Sequence, residues 1–196
     1  MAEAVTSLRE RSKAKRRAAI QRAALRLFTE RGYEGATIAD IAEAAEVAPR
    51  TVRMYFPNKI DIATSAADDI ATHVTAVFKA HPDLSFSEAI DRWMLAEADT
   101  TDPELAQLVA AMYDANPTLQ AVSGTHSAAA SQSGEPALLA ELGLAPDDPL
   151  LPVVTAAISS AIGEYVTTAL KNGVPHEPHQ RFMRYLRRMI SAARDG

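Results

Sequence analysis

Residues 37–57 read TIADIAEAAEVAPRTVRMYFP, and the fold follows from them. Thr37 has the character of a helix N-cap, and Asp40 three residues on completes a capping box ahead of Ile38, Ile41 and Ala45. Pro49 opens a further helix in its first turn, where a missing N–H costs nothing, and Pro57 ends it. Between the two lies a tight link, Glu46-Val47-Ala48. Two short helices at about 37–45 and 49–55 with such a link have the size of a helix-turn-helix. Ile38, Ile41, Ala42, Ala45, Val47, Val52 and Phe56 are spaced to form a small core that fixes the angle between them. Arg50, Thr51, Arg53, Met54 and Tyr55 remain for the outer face of the second helix.

Working upstream, apolar residues at Ile20, Ala24, Leu27 and Phe28 recur at helical spacing within a segment from about Lys13 to Arg31, which Gly32 stops. Downstream, a fourth helix runs from Asn58 to about Lys79, and further helical segments fall near 85–99, 103–115, 118–131, 149–171 and 177–193. The stretch SQSGEPALLAELGLAPDDPLLP, residues 131–152, concentrates Gly, Pro and Asp and reads as a connection with one helical turn inside. Period-two alternation is absent, so the expected fold class is all-α. An arm and helix-turn-helix domain should occupy 1–57, and a larger helical body 58–196.

Composition narrows the chemistry. With no cysteine among 196 residues there is no disulfide, thiolate metal site or cysteine nucleophile. The net charge of −5 hides an asymmetry: residues 1–60 hold 12 Lys+Arg against 7 Asp+Glu, whereas residues 61–180 hold 3 against 17. A basic lobe on an acidic body suits a protein that meets phosphate with one end, although a solvated basic helix would give the same count. The first twenty residues lack the apolar run of a secretory signal, and Leu150–Leu170 is interrupted by Thr155, Ser159, Ser160, Gly163, Glu164, Thr167 and Thr168. A soluble cytoplasmic protein is expected.

Two arginines on the outer face of a short helix, Arg50 and Arg53, are suited to guanine O6 and N7 in the major groove; the alternative is that they touch only phosphates. The basic stretch Arg9–Arg17 is either an arm that reaches DNA or ordinary helix surface.

Across residues 17–62 the sequence RAAIQRAALRLFTERGYEGATIADIAEAAEVAPRTVRMYFPNKIDI resembles the DNA-binding domain of the TetR (tetracycline-repressor) family. The resemblance rests on Leu27-Phe28, Gly32-Tyr33, Thr37, Ile41-Ala42, Ala45, Val47, Pro49, Thr51 and Tyr55-Phe56-Pro57-Asn58-Lys59. It implies that Thr37 contacts phosphate at the start of the second helix, that Tyr55 and Lys59 grip the backbone and that Thr51 lies at the DNA surface. A helix N-terminus and a mobile ammonium group are physically apt for those roles. The chain departs from the family at Glu46, where glycine is usual, at Ala48, which replaces a hydroxyl cap, and at Arg53, where an aromatic residue is more common. A left-handed backbone at Glu46 would be disfavoured, so an altered turn is expected.

Past residue 60 the resemblance is architectural, and it implies a homodimer whose last two helices pair across a two-fold axis. Leu151, Val154, Ile158, Ile162 and Tyr165 form one apolar face and Phe182, Leu186 and Met189 another, although a monomeric core would carry the same stripes. A small-molecule effector should bind among the middle helices, with Trp93, Met94, Leu108, Met112, Tyr113 and His126 as candidate contacts that could equally be core. Its binding would move the recognition helices off the spacing of about 34–36 Å that successive major grooves require. His176 and His179 flank Glu177, but Pro178 and the lack of a third ligand argue against metal, and no cofactor or catalytic motif is present. The expectation is a ligand-responsive, sequence-specific regulator, acting as a repressor on double-stranded operator DNA. The competing readings are a helical ligand-binding protein or enzyme with a disused DNA-binding lobe, and an architectural DNA binder without sequence preference.

Overall fold

The computed structural model describes residues 2–119, 122, 128–145, 147–172 and 176–194. Among them the regular structure is helical without strand: α1 Ala2–Gly35, α2 Ile38–Ala44, α3 Pro49–Tyr55, α4 Lys59–Ala80, α5 Phe86–Thr100, α6 Pro103–Ala115, α7 Ala128–Leu142, α8 Leu151–Asn172 and α9 His176–Arg194. Contacts divide the chain into two units, one of Met1–Ala66 with Leu108–Ser123, the other of Ala67–Gln107 with Gly124–Gly196. The single cut expected between residues 57 and 58 is therefore not where the chain divides. The first turns of α4 belong with the helix-turn-helix, because Ile62 and Ala63 are buried there and Gln21 donates from α1 to Ser65 Oγ at 2.8 Å.

In the first unit α1 supplies the floor. Ile20, Ala24, Leu25, Leu27 and Phe28 are buried beside Ala36, Ile41, Ala42, Val52 and Phe56. Burial of the larger of these side chains, Ile, Leu, Val and Phe, stabilises by about 1.5–3 kcal/mol each before chain entropy is counted. The helix begins well before Lys13, and the basic stretch 9–17 lies on it. Arg17 is not in the solvent stripe, since its guanidinium lies 5.2 Å from the centroid of the Phe56 ring. Gly32 breaks the helix as anticipated, with φ 74° and ψ 158°, and a further turn carries the element on to Gly35.

The second unit is built on an apolar cluster of Val74, Phe86, Ile90, Trp93, Met94, Leu138, Leu142, Ile158, Met183, Leu186 and Ile190. Most of the stretch expected as a connection is helix α7, with Pro136 inside it. Gly134 is a packing residue there: a Cβ at that position would lie 2.9 Å from the Phe78 ring and 3.1 Å from that of Phe86. Burial of Leu138 and Leu142 outweighs the missing proline hydrogen bond, and both Glu141 oxygens clamp Ser87, accepting from its N–H and its Oγ at 2.7 Å. Among the described residues of that stretch, 143–145 and 147–150 are irregular. Part of the helix expected at 118–131 lies outside the described residues.

Candidate nucleic-acid interface

The site is assembled by local backbone chemistry. Thr37 caps α2: its Oγ1 accepts from the Asp40 N–H at 3.2 Å, while Asp40 Oδ2 accepts from the Thr37 N–H at 2.8 Å. The Thr37 hydroxyl also donates to Asp40 Oδ2 at 2.5 Å. These bonds, the hydroxyl's first and the backbone N–H's second, hold the Asp40 carboxyl below its usual range, helped by Arg31 at 3.6 Å. The hydroxyl expected to meet phosphate is thus already engaged with a carboxylate.

Helix α2 ends in a Schellman motif. The Glu46 N–H donates to Glu43 O at 3.0 Å and the Val47 N–H donates to Ala42 O at 2.9 Å. The motif requires a left-handed residue, and Glu46 adopts φ 54°. The altered turn expected from a non-glycine residue does not occur. Two hydrogen bonds and the partly buried Val47 hold the geometry against the side-chain strain. Pro49 then starts α3 in its first turn, and Ala48 supplies no side-chain cap.

Along α3, Val52 is buried, and Phe56 just past its end is buried too; Thr51 and Tyr55 flank them half-buried, and Arg50, Arg53 and Met54 are exposed. Spacings of three and four residues place those last three side by side on one helical face. Met54 is 69% exposed, which nothing in the folding of this unit requires. A seven-residue helix is about 10 Å long, a fit to a major groove about 12 Å wide. The face offers two bidentate donors and one polarizable apolar side chain, the set that reads guanine edges and thymine methyls.

Lys59 corrects the sequence reading. It is not a mobile cation: its Nζ donates to Tyr33 O at 2.6 Å and Ala36 O at 3.1 Å, and lies 4.1 Å from the centroid of the Tyr33 ring. It ties the start of α4 to the loop that carries Thr37, and so positions the site from behind. Burial, followed by the nearby Glu34 and Asp61 charges, pushes the Tyr33 phenol up.

Asn116 is the residue that sequence reasoning missed. The break at Gly32 strips partners from neighbouring backbone groups of α1. The Asn116 Oδ1 accepts from the Tyr33 N–H at 2.8 Å, and its Nδ2 donates to Phe28 O and Met112 O, both at 2.9 Å. A buried amide 83 residues away in sequence thus clamps the break that precedes Thr37. No short motif signals it. The only trace is an asparagine just past an apolar helix.

The remaining expected residues are placed as follows. Trp93 and Met94 are buried in the second unit, Leu108, Met112 and Tyr113 belong to the first, and His126 lies outside the described residues. Of the expected dimer face, Ile158 and Leu186 are fully buried in the protomer's own core, because a helical stripe serves either purpose with the same residue types. Leu151, Val154, Ile162, Tyr165 and Phe182 pack partly against that core, and Met189 is exposed together with Leu150, Val153 and Tyr185. His179 joins helices: its Nε2 lies 2.7 Å from Asp91 Oδ1, and Arg187 donates to the other oxygen at 3.0 Å. The His176 side chain lies outside the described residues.

A capped helix, a left-handed turn and a short helix exposing two arginines, all backed by one apolar core, define a DNA-binding protein of the helix-turn-helix class. Residues 20–66 match the model of the bacterial regulatory proteins of the tetR family. The HTH-type transcriptional regulator TcmR of Streptomyces glaucescens is 27% identical over 169 residues, covering 82% of this chain and 75% of that protein. Among solved structures, a tetR-family regulator from Streptomyces coelicolor is similar with a TM-score of 0.58 at 18% identity, over 92% of this chain and 82% of that one. FadR of Bacillus subtilis, in complex with stearoyl-CoA, is similar with a TM-score of 0.56 at 19% identity, over 90% and 96%. Residues 20–66 are thus similar to the DNA-binding domain of the tetR family, and the chain is a DNA-binding transcriptional regulator.

Proposed function

We propose that this regulator is a cytoplasmic homodimer that represses from a two-fold operator and is released by a small-molecule effector. The observation that carries the DNA-reading part is the exposed Arg50, Arg53 and Met54 face on a helix whose other side is locked into a core. Specific base contacts need such rigidity, because an arginine on a loose support gains contact only by losing entropy. Thr51 and Tyr55 flank that face and supply phosphate contacts, the Thr37 side chain caps α2 so that the free N–H groups of its first turn face a phosphate, and Lys59 acts by holding the loop before it.

Self-association is supported by the apolar side chains left in solvent on and beside α8 and α9: Leu150, Val153, Tyr185 at 56% exposure and Met189. A Cβ at Gly163 on α8 would meet nothing within 4 Å, so a close approach by another helix is open there. Effector release is supported by the FadR relatives, whose structures hold stearoyl-CoA and lauroyl-CoA. No helix among the described residues is long and apolar enough to cross a membrane. The role assigned is regulatory and not catalytic, in keeping with the similarity to the transcriptional regulator TcmR.

The test is binding to a selected operator and to random duplex at several salt concentrations. Arg53→Ala should cut discrimination by about 5–150-fold, the range for one bidentate base contact, while leaving random-duplex affinity nearly unchanged. An equal loss on both duplexes would make Arg53 a phosphate contact only. Tyr185→Glu should turn a sedimenting dimer into a monomer with weakened operator binding, and an unchanged dimer would remove the α8 and α9 face from the interface.

A further inference from the structure

Trp93 is the chain's one tryptophan, and it lies in α5, 3% exposed, in the apolar cluster of the second unit. Its indole N–H is buried and has no hydrogen-bond partner among the described residues. An indole nitrogen can only donate, so the missing partner must be an acceptor. Leaving such a donor unmet inside a protein forfeits its hydration with no return, and native interiors almost never do so without a reason. Phenylalanine would fill the same cluster without that cost.

Resting on the effector-binding reading above, we propose that the acceptor arrives with the effector. The effector is an uncharged, mainly apolar molecule whose carbonyl-type oxygen takes a hydrogen bond from Trp93 Nε1 inside the second unit. The cluster sets the class. A carboxylate or phosphate seated there would trade its full hydration shell for one neutral donor, a losing exchange in an apolar interior. Long-range charge acts weakly in the same direction, since residues 67–107 with 124–196 carry 16 Asp+Glu against 8 Lys+Arg. Met94 and Met183 of the same cluster, unbranched and with several rotatable bonds, can repack around a guest more readily than branched side chains.

The test uses a matched pair of probes on the full-length protein, 1-indanone and indane, which differ by a carbonyl in place of a methylene. Binding is measured by calorimetry, and the single indole N–H resonance is followed by NMR. The wild type should prefer 1-indanone by about tenfold, and that ligand alone should shift the indole proton downfield. In Trp93→Phe the preference should fall to about one. If that variant fails to fold, the indole resonance of the wild type decides. Equal affinities, an unmoved indole proton, or no binding of either probe would overturn the proposal. Sequence-selective operator binding alongside such a result would leave the regulator reading intact and remove only the ligand class.

Discussion

Replacing Glu46 by glycine should stabilise the helix-turn-helix, although the exchange removes a side chain and adds backbone freedom. Glu46 holds φ 54° at the C′ position of the Schellman motif that ends α2. A left-handed conformation costs an L-residue about 1–2 kcal/mol, and glycine avoids that cost. Glycine also gives the unfolded chain more freedom, which offsets about 0.5–1 kcal/mol. The net gain is about 0.5–1 kcal/mol, so amide exchange of α2 and α3 should slow by about 2–5-fold if opening of this unit limits it. Two further variants separate strain from charge. Glu46→Ala keeps the strain and deletes the carboxylate, so its exchange should stay close to wild type, and Glu46→Asn, more tolerant of this region, should fall between. If alanine slowed exchange as much as glycine, the effect would be one of charge at the helix C-terminus, and the strain argument would be refuted.

Asn116→Ala leaves the Phe28 carbonyl and the Tyr33 N–H without their partner, so urea unfolding should show a loss of about 2–4 kcal/mol at an unchanged m-value; a loss below about 0.5 kcal/mol would mean the break at Gly32 does not need the amide. Lys59→Met should cost about 1–3 kcal/mol of stability and leave the salt slope of operator binding unchanged, whereas a phosphate contact would reduce that slope by about 0.9. Because folding lowers the Asp40 pKa below 3.8, its contribution is present above about pH 3.8 and is lost as pH falls through the lower folded value. The cost of Asp40→Asn should therefore be flat from about pH 5 to 8, and Thr37→Ala should bring the Asp40 carboxyl back toward its ordinary value in an NMR titration; an unmoved titration would show that Thr37 is not the cause.

What the sequence revealed about this site is what acts over four residues or fewer. The Thr37 and Asp40 capping box, the Pro49 start and the Gly32 break are local chemistry, and the structure keeps each of them. The inward face of the helix-turn-helix was legible from periodicity, down to buried Val52 and Phe56. What escaped depends on partners distant in the chain. Lys59 turns inward because its acceptors are main-chain carbonyls of residues 33 and 36, which no side-chain pattern announces. Gly134 reads as a breaker when its neighbours in sequence are considered, and as a packing residue once the Phe78 and Phe86 rings are placed against it. Apolar stripes on α8 and α9 have the same composition whether they close a protomer's core or join two protomers, so Ile158 and Leu186 could not be assigned without coordinates. Glu46 was visible as a departure, but its outcome depended on whether two backbone bonds and Val47 could hold a strained residue in place.

The central claim is that a two-fold protein reads DNA sequence through α3, and the most direct measurement is selection of bound duplexes from a random pool at moderate salt by the purified full chain. The account predicts recovery of a palindromic motif with half-sites about one helical turn apart, degraded at defined positions when Arg50→Ala or Arg53→Ala replaces the wild type. Recovery of duplexes with no shared motif, retained only at low salt, would contradict it.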